Sequence, residues 1–373
     1  MPDLPEPLEE RLARHSRAYR CRCGNHVFFH NTMCLGCKSP LGFLPDEGRV
    51  VALEAGPTPG TWRVNGRNEL AKFCANRDSP AACNWMVFAR NPKSYCIACR
   101  LNRTIPHLQD ADNVRYWRKV EEAKRRLVSQ LIALGLPVAS KVEEDPENGL
   151  MFDFLRSTPQ GPRVMIGHEN GLITINVEEA DDAKREQIKY DLHEPYRTML
   201  GHFRHEVGHY YWDRIVRDTK WLEPFRRLFG DERASYDEAL KRNYEQGPPA
   251  DWANSFISSY ATMHPWEDWA ETWAHYLHVV DSLGTALGFG LETGDSGGIR
   301  PLTREALYAP DDPGAGRFLS LLNGWIKMVM VLNEMAHSMG QPDFYPFVMS
   351  TPVVAKLQFV QMIVVDARTP PDL

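Results

Sequence analysis

A chain of 373 residues, 43% hydrophobic and 25% charged, is long enough for two domains and has an ordinary globular composition, which excludes wholesale disorder. No uninterrupted apolar run approaches the ~20 residues that span a bilayer; the longest, Trp325 to Leu332, is broken by Lys327. Charge is uneven, with 15 Lys and Arg against 9 Asp and Glu in residues 1–108, and 28 against 40 in residues 109–373.

All eight cysteines lie between Cys21 and Cys99. The N-terminus is acidic and proline-rich with no apolar leader, so a cytoplasmic location is expected, where paired short cysteine spacings read as metal-thiolate sites rather than disulfides. Cys21, Cys23, Cys34 and Cys37 make one set of four; Cys74, Cys83, Cys96 and Cys99 make the other. Two-residue knuckles paired across a loop are the pattern of zinc ribbons, and four thiolates form a closed structural site. A crossed grouping uses the same spacings, and the ligands alone would also suit a rubredoxin-type iron. Each site of four thiolates and one Zn²⁺ removes two charges, so the first 108 residues are nearly neutral. Arg11, Arg14, Arg17, Arg20 and Arg22 form the one basic cluster, and the acid-rich remainder of the chain disfavours nucleic acid as a partner.

The first 108 residues are rich in Cys, Gly, Asn, Pro and aromatics, which predicts a loop-rich module held by metal. From Asp110 to Leu136, apolar residues recur at helical spacing and stop at Gly135 and Pro137. A β-hairpin follows, Arg163 to Gly167 and Leu172 to Val177, turning through Glu169-Asn170-Gly171. Asp181 to Tyr190 is polar and helical in pattern. Pro195 suits the first turn of a helix running to about Arg217. Further helices are expected from Trp266 to about Val280, over Phe318–Met339 and over Val353–Val365, with a glycine-rich loop at Gly288–Gly298.

The helix ending near Arg217 carries His-Phe-Arg-His-Glu-Val-Gly-His-Tyr-Tyr-Trp-Asp, residues 202–213. His205 and His209 share a face, about 5–6 Å apart at Cβ, and can converge on one ion. Glu206 projects beside that ion, where it can take a proton from metal-activated water. Zinc lowers the pKa of such a water to about 7 and polarises a scissile carbonyl. Gly208 inside a helix costs about 1 kcal/mol relative to Ala, so close backbone approach is expected there. His202, His264 and His275 read as packed histidines.

A catalytic zinc needs a third protein ligand and one open position. Asp213 lies eight residues beyond His205, about 12 Å along the axis, too far to share the ion. The segment His-Pro-Trp-Glu-Asp-Trp-Ala-Glu-Thr-Trp-Ala-His-Tyr, residues 264–276, is the better source. Glu267 and Glu271 share a face while Asp268 is turned about 100° away. Glu267 is the preferred ligand over Glu271 and Asp268, with Glu271 orienting a ligand histidine through its other ring nitrogen.

The H-E-x-G-H run followed by Glu-x-x-x-Glu on a later helix resembles the gluzincin branch of zinc peptidases, particularly the lethal-factor-type enzymes. The resemblance implies that Glu267 binds zinc, Glu271 supports a ligand, and a tyrosine seven residues before Glu267, here Tyr260, stabilises the oxyanion. Tyr210, Tyr211 and Tyr276 compete for that role. In such enzymes the strand before the catalytic helix pairs with extended substrate, which makes Leu172 to Val177 a candidate edge. Near full length, the chain also resembles a bacterial family of zinc-binding metallopeptidases with an N-terminal zinc ribbon. The stretches that carry this likeness are Cys-Arg-Cys-Gly-Asn-His-Val-Phe-Phe (21–29), Cys-Ala-Asn (74–76), Cys-Asn-Trp (83–85), Cys-Arg-Leu-Asn-Arg-Thr-Ile-Pro (99–106), the segment 201–213 and Pro-Trp-Glu-Asp-Trp-Ala-Glu (265–271).

The expected architecture is therefore α+β: a loop-rich zinc-ribbon module with two four-cysteine sites over residues 1–108, then a zincin-like, mostly helical metallopeptidase domain with a short β-sheet over 109–373. The expected activity is peptide-bond hydrolysis with one catalytic and two structural zincs and Glu206 as general base. Its partners would be a peptide or protein substrate and a protein docked on the ribbons, without a membrane. The competing reading is a ribbon-based protein- or nucleic-acid-binding module with a silent or regulatory zincin domain.

Overall fold

The computed structural model describes residues 16–64, 66–157, 164, 166–191, 198–291 and 300–368. The chain divides into two compact units, residues 1–187 with 284–291 and 369–373, and residues 188–283 with 292–368. Arg11, Arg14, Arg163, Pro195 and residues 292–298 of the glycine-rich segment, singled out above, lie outside the described residues.

The first unit opens on a two-stranded ladder, β1 (Tyr19–Arg20) against β2 (His26–Val27). A five-stranded antiparallel sheet follows in the order β3 (Leu41–Leu44), β4 (Arg49–Ala55), β5 (Thr61–Val64), β6 (Leu70–Phe73), β7 (Met86–Phe88). Leu44, Leu53, Val64, Ala71 and Met86 form its core, with Trp62 and Phe73 packed against it. The Phe43 amide bonds the Asn84 carbonyl at 2.8 Å, so β3 also meets the segment leading into β7. The module thus holds more sheet than its composition predicts. Its strands are short and interrupted by turns every few residues, too short for alternation to stand out.

Helix α1 (Ala111–Leu134) begins where Asp110 accepts from the amides of Asp112 and Asn113. It ends at Gly135 (φ 73°), a left-handed position that favours glycine, where the Leu136 amide reaches back to the Leu131 carbonyl. Its buried face holds Trp117, Val120, Leu127, Leu131 and Leu134, and also Glu121, Lys124 and Arg125. A four-stranded sheet follows in the order β10 (Gly167–Glu169), β11 (Leu172–Asn176), β9 (Met151–Leu155), β8 (Asn102–Thr104). Asn170 and Gly171 both have positive φ, 46° and 77°, as a two-residue hairpin requires. The hairpin forms with its first strand at Gly167–Glu169 rather than the expected Arg163 to Gly167, and Leu172–Thr174 is paired on both sides, antiparallel to β10 and parallel to β9. That stretch is therefore not the open edge proposed for substrate pairing; the parallel partner lies far back in sequence, where a local pattern carries no sign of it.

Helix α2 (Asp182–Asp191) matches the polar segment. The second unit is helical in its described part. Helix α3 (Met199–Ile215) starts at Thr198, whose hydroxyl accepts from the Gly201 amide. Then come α4 (Leu222–Phe229), α5 (Tyr236–Gln246), α6 (Pro265–Gly288), α7 (Ala315–Ser338) and α8 (Thr351–Asp366). The two short helices α4 and α5 are additions to the expected set, and α6 runs past Val280. Phe203, Tyr211, Trp269, Trp273 and Phe359 are fully buried and form the centre of this unit. By length and composition α7 is apolar enough to cross a membrane, a feature that a search for uninterrupted apolar runs overlooks. Only 33% of its most apolar stretch is buried.

Candidate active site and metal centres

Helices α3 and α6 are held together at Gly208. A Cβ there would sit 3.1 Å from the Ala270 Cα and 3.2 Å from the Trp273 ring, so a larger residue would have to push the two helices apart by a few tenths of an ångström. The Trp269 indole donates to the Gly208 carbonyl at 2.9 Å, fixing the register of the two helices. Close backbone contact is what brings the first turns of α6 onto the histidine face of α3.

At that contact one ligand atom each from His205, His209 and Glu267 lies within 4.8 Å of the others. His205 Nε2 is 3.0 Å from Glu267 Oε2, and His209 Nε2 is 3.5 Å from Glu267 Oε1. His205 Nδ1 meets Glu271 Oε1 at 2.7 Å, and the other Glu271 oxygen accepts from the Ser258 hydroxyl at 2.6 Å. Glu206 is 5% exposed. Its Oε2 has no hydrogen-bond partner among the described residues, and Glu267 Oε2 faces the His205 ring nitrogen. Two imidazole nitrogens and a carboxylate oxygen converging in a buried place, with a further carboxylate oxygen beside them, are the donor set that a metal ion satisfies.

The electrostatics agree. Burial favours neutral His205, but the carboxylates of Glu267 and Glu271 outweigh it and hold its pKa well above the ordinary value. Burial raises both carboxylates, yet His209 and His205 hold Glu267 well below its usual range, and His205 pulls Glu271 down to about 2.

The neighbouring candidates separate clearly. Asp268 turns away and pairs with Lys356 at 2.6 Å; burial pushes its pKa up to about 7. Asp213 pairs with Arg217. Tyr260 is the competing tyrosine nearest the centre, its ring 5.9 Å from that of His205. Tyr211 stacks on Trp273, Tyr210 packs on Tyr211, and Tyr276 donates to Gln361. His264 accepts from the Trp266 amide and meets the Ala234 carbonyl at the start of α6; His275 meets the Tyr345 hydroxyl at 2.6 Å. His202 stands 3.7 Å from Glu206. Two residues here are absent from the sequence reading: Ser258, and Tyr236, which donates to Glu267 Oε1 at 3.0 Å. Neither belongs to a spaced motif, and no local signal marks them.

In the first unit, the sulfurs of Cys21, Cys23, Cys34 and Cys37 gather within 4.8 Å, as do those of Cys74, Cys83, Cys96 and Cys99. Sulfur pairs stand 3.5 Å (Cys21–Cys37), 3.6 Å (Cys23–Cys34) and 3.8 Å (Cys83–Cys96) apart. A tetrahedron with ~2.3 Å zinc–sulfur bonds has edges of about 3.8 Å, whereas a disulfide is about 2.05 Å long. The thiols are free, and their spacing suits zinc.

The family described as "Putative zinc-binding metallo-peptidase" matches residues 113–363, and a zinc-ribbon domain matches residues 18–110. The chain belongs to this metallopeptidase family. Uncharacterized proteins of Mycobacterium bovis and of two Mycobacterium tuberculosis strains are each 39% identical to it over 350 residues, covering 93% of this chain and 95% of theirs. No solved structure matches. Within the metallopeptidase segment, the α3–α6 contact carries the one His/Glu cluster of metal-binding geometry among the described residues; both four-cysteine clusters fall within the ribbon segment.

Proposed function

We propose that this chain is a zinc-dependent peptidase of gluzincin type, with a zincin-like catalytic domain. The observation that carries the reading is the convergence of His205, His209 and Glu267, with Glu206 beside them and His205 steadied by Glu271. In this reading His205, His209 and Glu267 hold the catalytic zinc, and the two cysteine sets hold structural zincs. Bound there, zinc would polarise the scissile carbonyl and acidify a water molecule. Glu206 takes the proton of the attacking water on its unpartnered oxygen and passes it to the leaving amine. Glu271, itself held by Ser258, fixes the tautomer and tilt of His205. Tyr260 donates a hydrogen bond to the developing oxyanion. Eight free thiols fit a reducing cytoplasm, and the ribbons serve stability and protein docking.

Metal analysis and a peptide-library assay test this together. The expected result is about three zincs per wild-type chain, two in His205→Ala/His209→Ala, and three in an inactive Glu206→Gln. Two zincs in both wild type and the double variant would refute the catalytic centre and favour the binding-module reading.

A further inference from the structure

Glu267 presents its two oxygens unequally. Oε2 stands 3.0 Å from His205 Nε2, whereas Oε1 stands 3.5 Å from His209 Nε2 and also accepts from the Tyr236 hydroxyl at 3.0 Å. Tyr236 is the first residue of α5, directly after Ser235, whose hydroxyl accepts from the Glu238 amide. Its ring packs at 5.4 Å on His264 and 6.5 Å on Trp266, and His264 also grips the Ala234 carbonyl two residues earlier. The start of α5 is thereby tied to the start of α6, and the phenol has little freedom to leave.

We propose that Tyr236 is a positioning residue of the His205–His209–Glu267 centre. By donating to Oε1 it fixes the rotation of the Glu267 carboxylate, so that Oε2 meets His205 Nε2 while Oε1 stays 3.5 Å from His209 Nε2. The carboxylate is thereby set before substrate arrives. This inference rests on the metal-centre reading above.

The test uses the full chain with both four-cysteine sites held by zinc. Co²⁺ is titrated into the third site and followed by its visible absorption in wild type, Tyr236→Phe, Glu267→Ala and His205→Ala. Tyr236→Phe keeps the ring and its packing, so the melting temperature before Co²⁺ addition is expected to match wild type. Its Co²⁺ affinity is expected to fall roughly 10- to 100-fold, the usual cost of removing a partner that orients a ligand, with a changed absorption spectrum. In a Glu267→Ala background the same substitution should change nothing further. Wild-type affinity and spectrum in Tyr236→Phe would overturn the proposal. If wild type itself takes up no Co²⁺, or His205→Ala takes it up equally, the metal centre is wrong and the role of Tyr236 falls with it.

Discussion

The two four-cysteine clusters offer the same ligands in the same unit, yet they are built into it differently. In the first, Cys23 and Cys37 are exposed while Cys21 and Cys34 are buried. Its loop is closed mainly by its own backbone, such as the Cys34 amide on the Ser39 carbonyl and the Lys38 amide on the Cys34 carbonyl. In the second, all four cysteines are buried. There the Cys99 thiol lies 3.9 Å from Glu121, and Arg125, on the same face of α1, donates to the Ala81 carbonyl at 3.0 Å. Arg125 resists deprotonation despite burial because Cys83, Glu121 and Cys99 surround it with negative charge. Lys124 completes the group with a 2.6 Å pair to Glu121. The comparison teaches that an identical donor set can be a local clasp in one place and a keystone in another. Burial around the sulfurs decides which, since a buried anionic centre needs its cations supplied by the fold.

The largest expected contrast comes from removing one ligand at each site. Structural zinc binding contributes on the order of 10 kcal/mol to folding in small domains, and at the second site that free energy is shared with α1. Cys96→Ser should abolish cooperative unfolding of the first unit and leave little soluble protein. Cys23→Ser should lose one zinc yet keep the main melting transition, followed by circular dichroism. Equal damage from both would break the distinction. A smaller effect is expected from Arg125→Met, which leaves the buried thiolates and Glu121 without their nearest guanidinium. Breaking such a buried pairing costs about 3–5 kcal/mol, read as a lower urea midpoint with an unchanged slope. The first site should keep its zinc in that variant. Urea stability equal to wild type would mean that Arg125 does not balance the second centre.

How much of this was legible beforehand follows the range over which each signal acts. His205, Glu206 and His209 sit within one and a half helical turns, so their shared face is implied by spacing alone. Cys34/Cys37 and Cys96/Cys99 are equally local. The i,i+4 pair Glu267 and Glu271 was visible as a face, but the contact that seats it on α3 depends on Gly208 meeting Ala270 and Trp273, which only packing determines. Tyr236 and Ser258 enter from a short helix and a loop, 31 and 13 residues away from the carboxylates they touch, and no periodicity links such positions. The same limit hid β8 and β9. Their parallel pairing joins Asn102 to Phe152 across the whole of α1, and a three-residue strand carries too little pattern to predict. Glu121, Lys124 and Arg125 of α1 are buried although charged, a placement that helical spacing alone does not signal.

The smallest effect probes how the second cluster is anchored onward. Its last cysteine, Cys99, opens the short turn that leads into β8, and Arg103 on that strand pairs side-on with Asp153 of β9 through both its Nε and a terminal nitrogen. Asp153 is buried, which by itself would raise its pKa, but the Arg103 hydrogen bonds and charge prevail and the folded value is depressed. A carboxyl whose folded pKa lies below its unfolded value of about 3.9 stabilises the fold fully above that pH. The contribution disappears as pH falls through the lower, folded pKa. Arg103 is about half exposed, 46% by side chain, so solvent screening limits the pair to about 1 kcal/mol. Asp153→Asn should therefore melt slightly below wild type, by a constant gap from pH 8 to about pH 5. Below about pH 4 the gap should close, because protonated Asp153 and asparagine are then equivalent in charge. Acid release of zinc acts on both proteins alike and leaves this difference intact. A gap that stayed open at low pH would assign the loss to the shape of the β8–β9 joint rather than to its charge, and would loosen the link between the second cluster and the sheet.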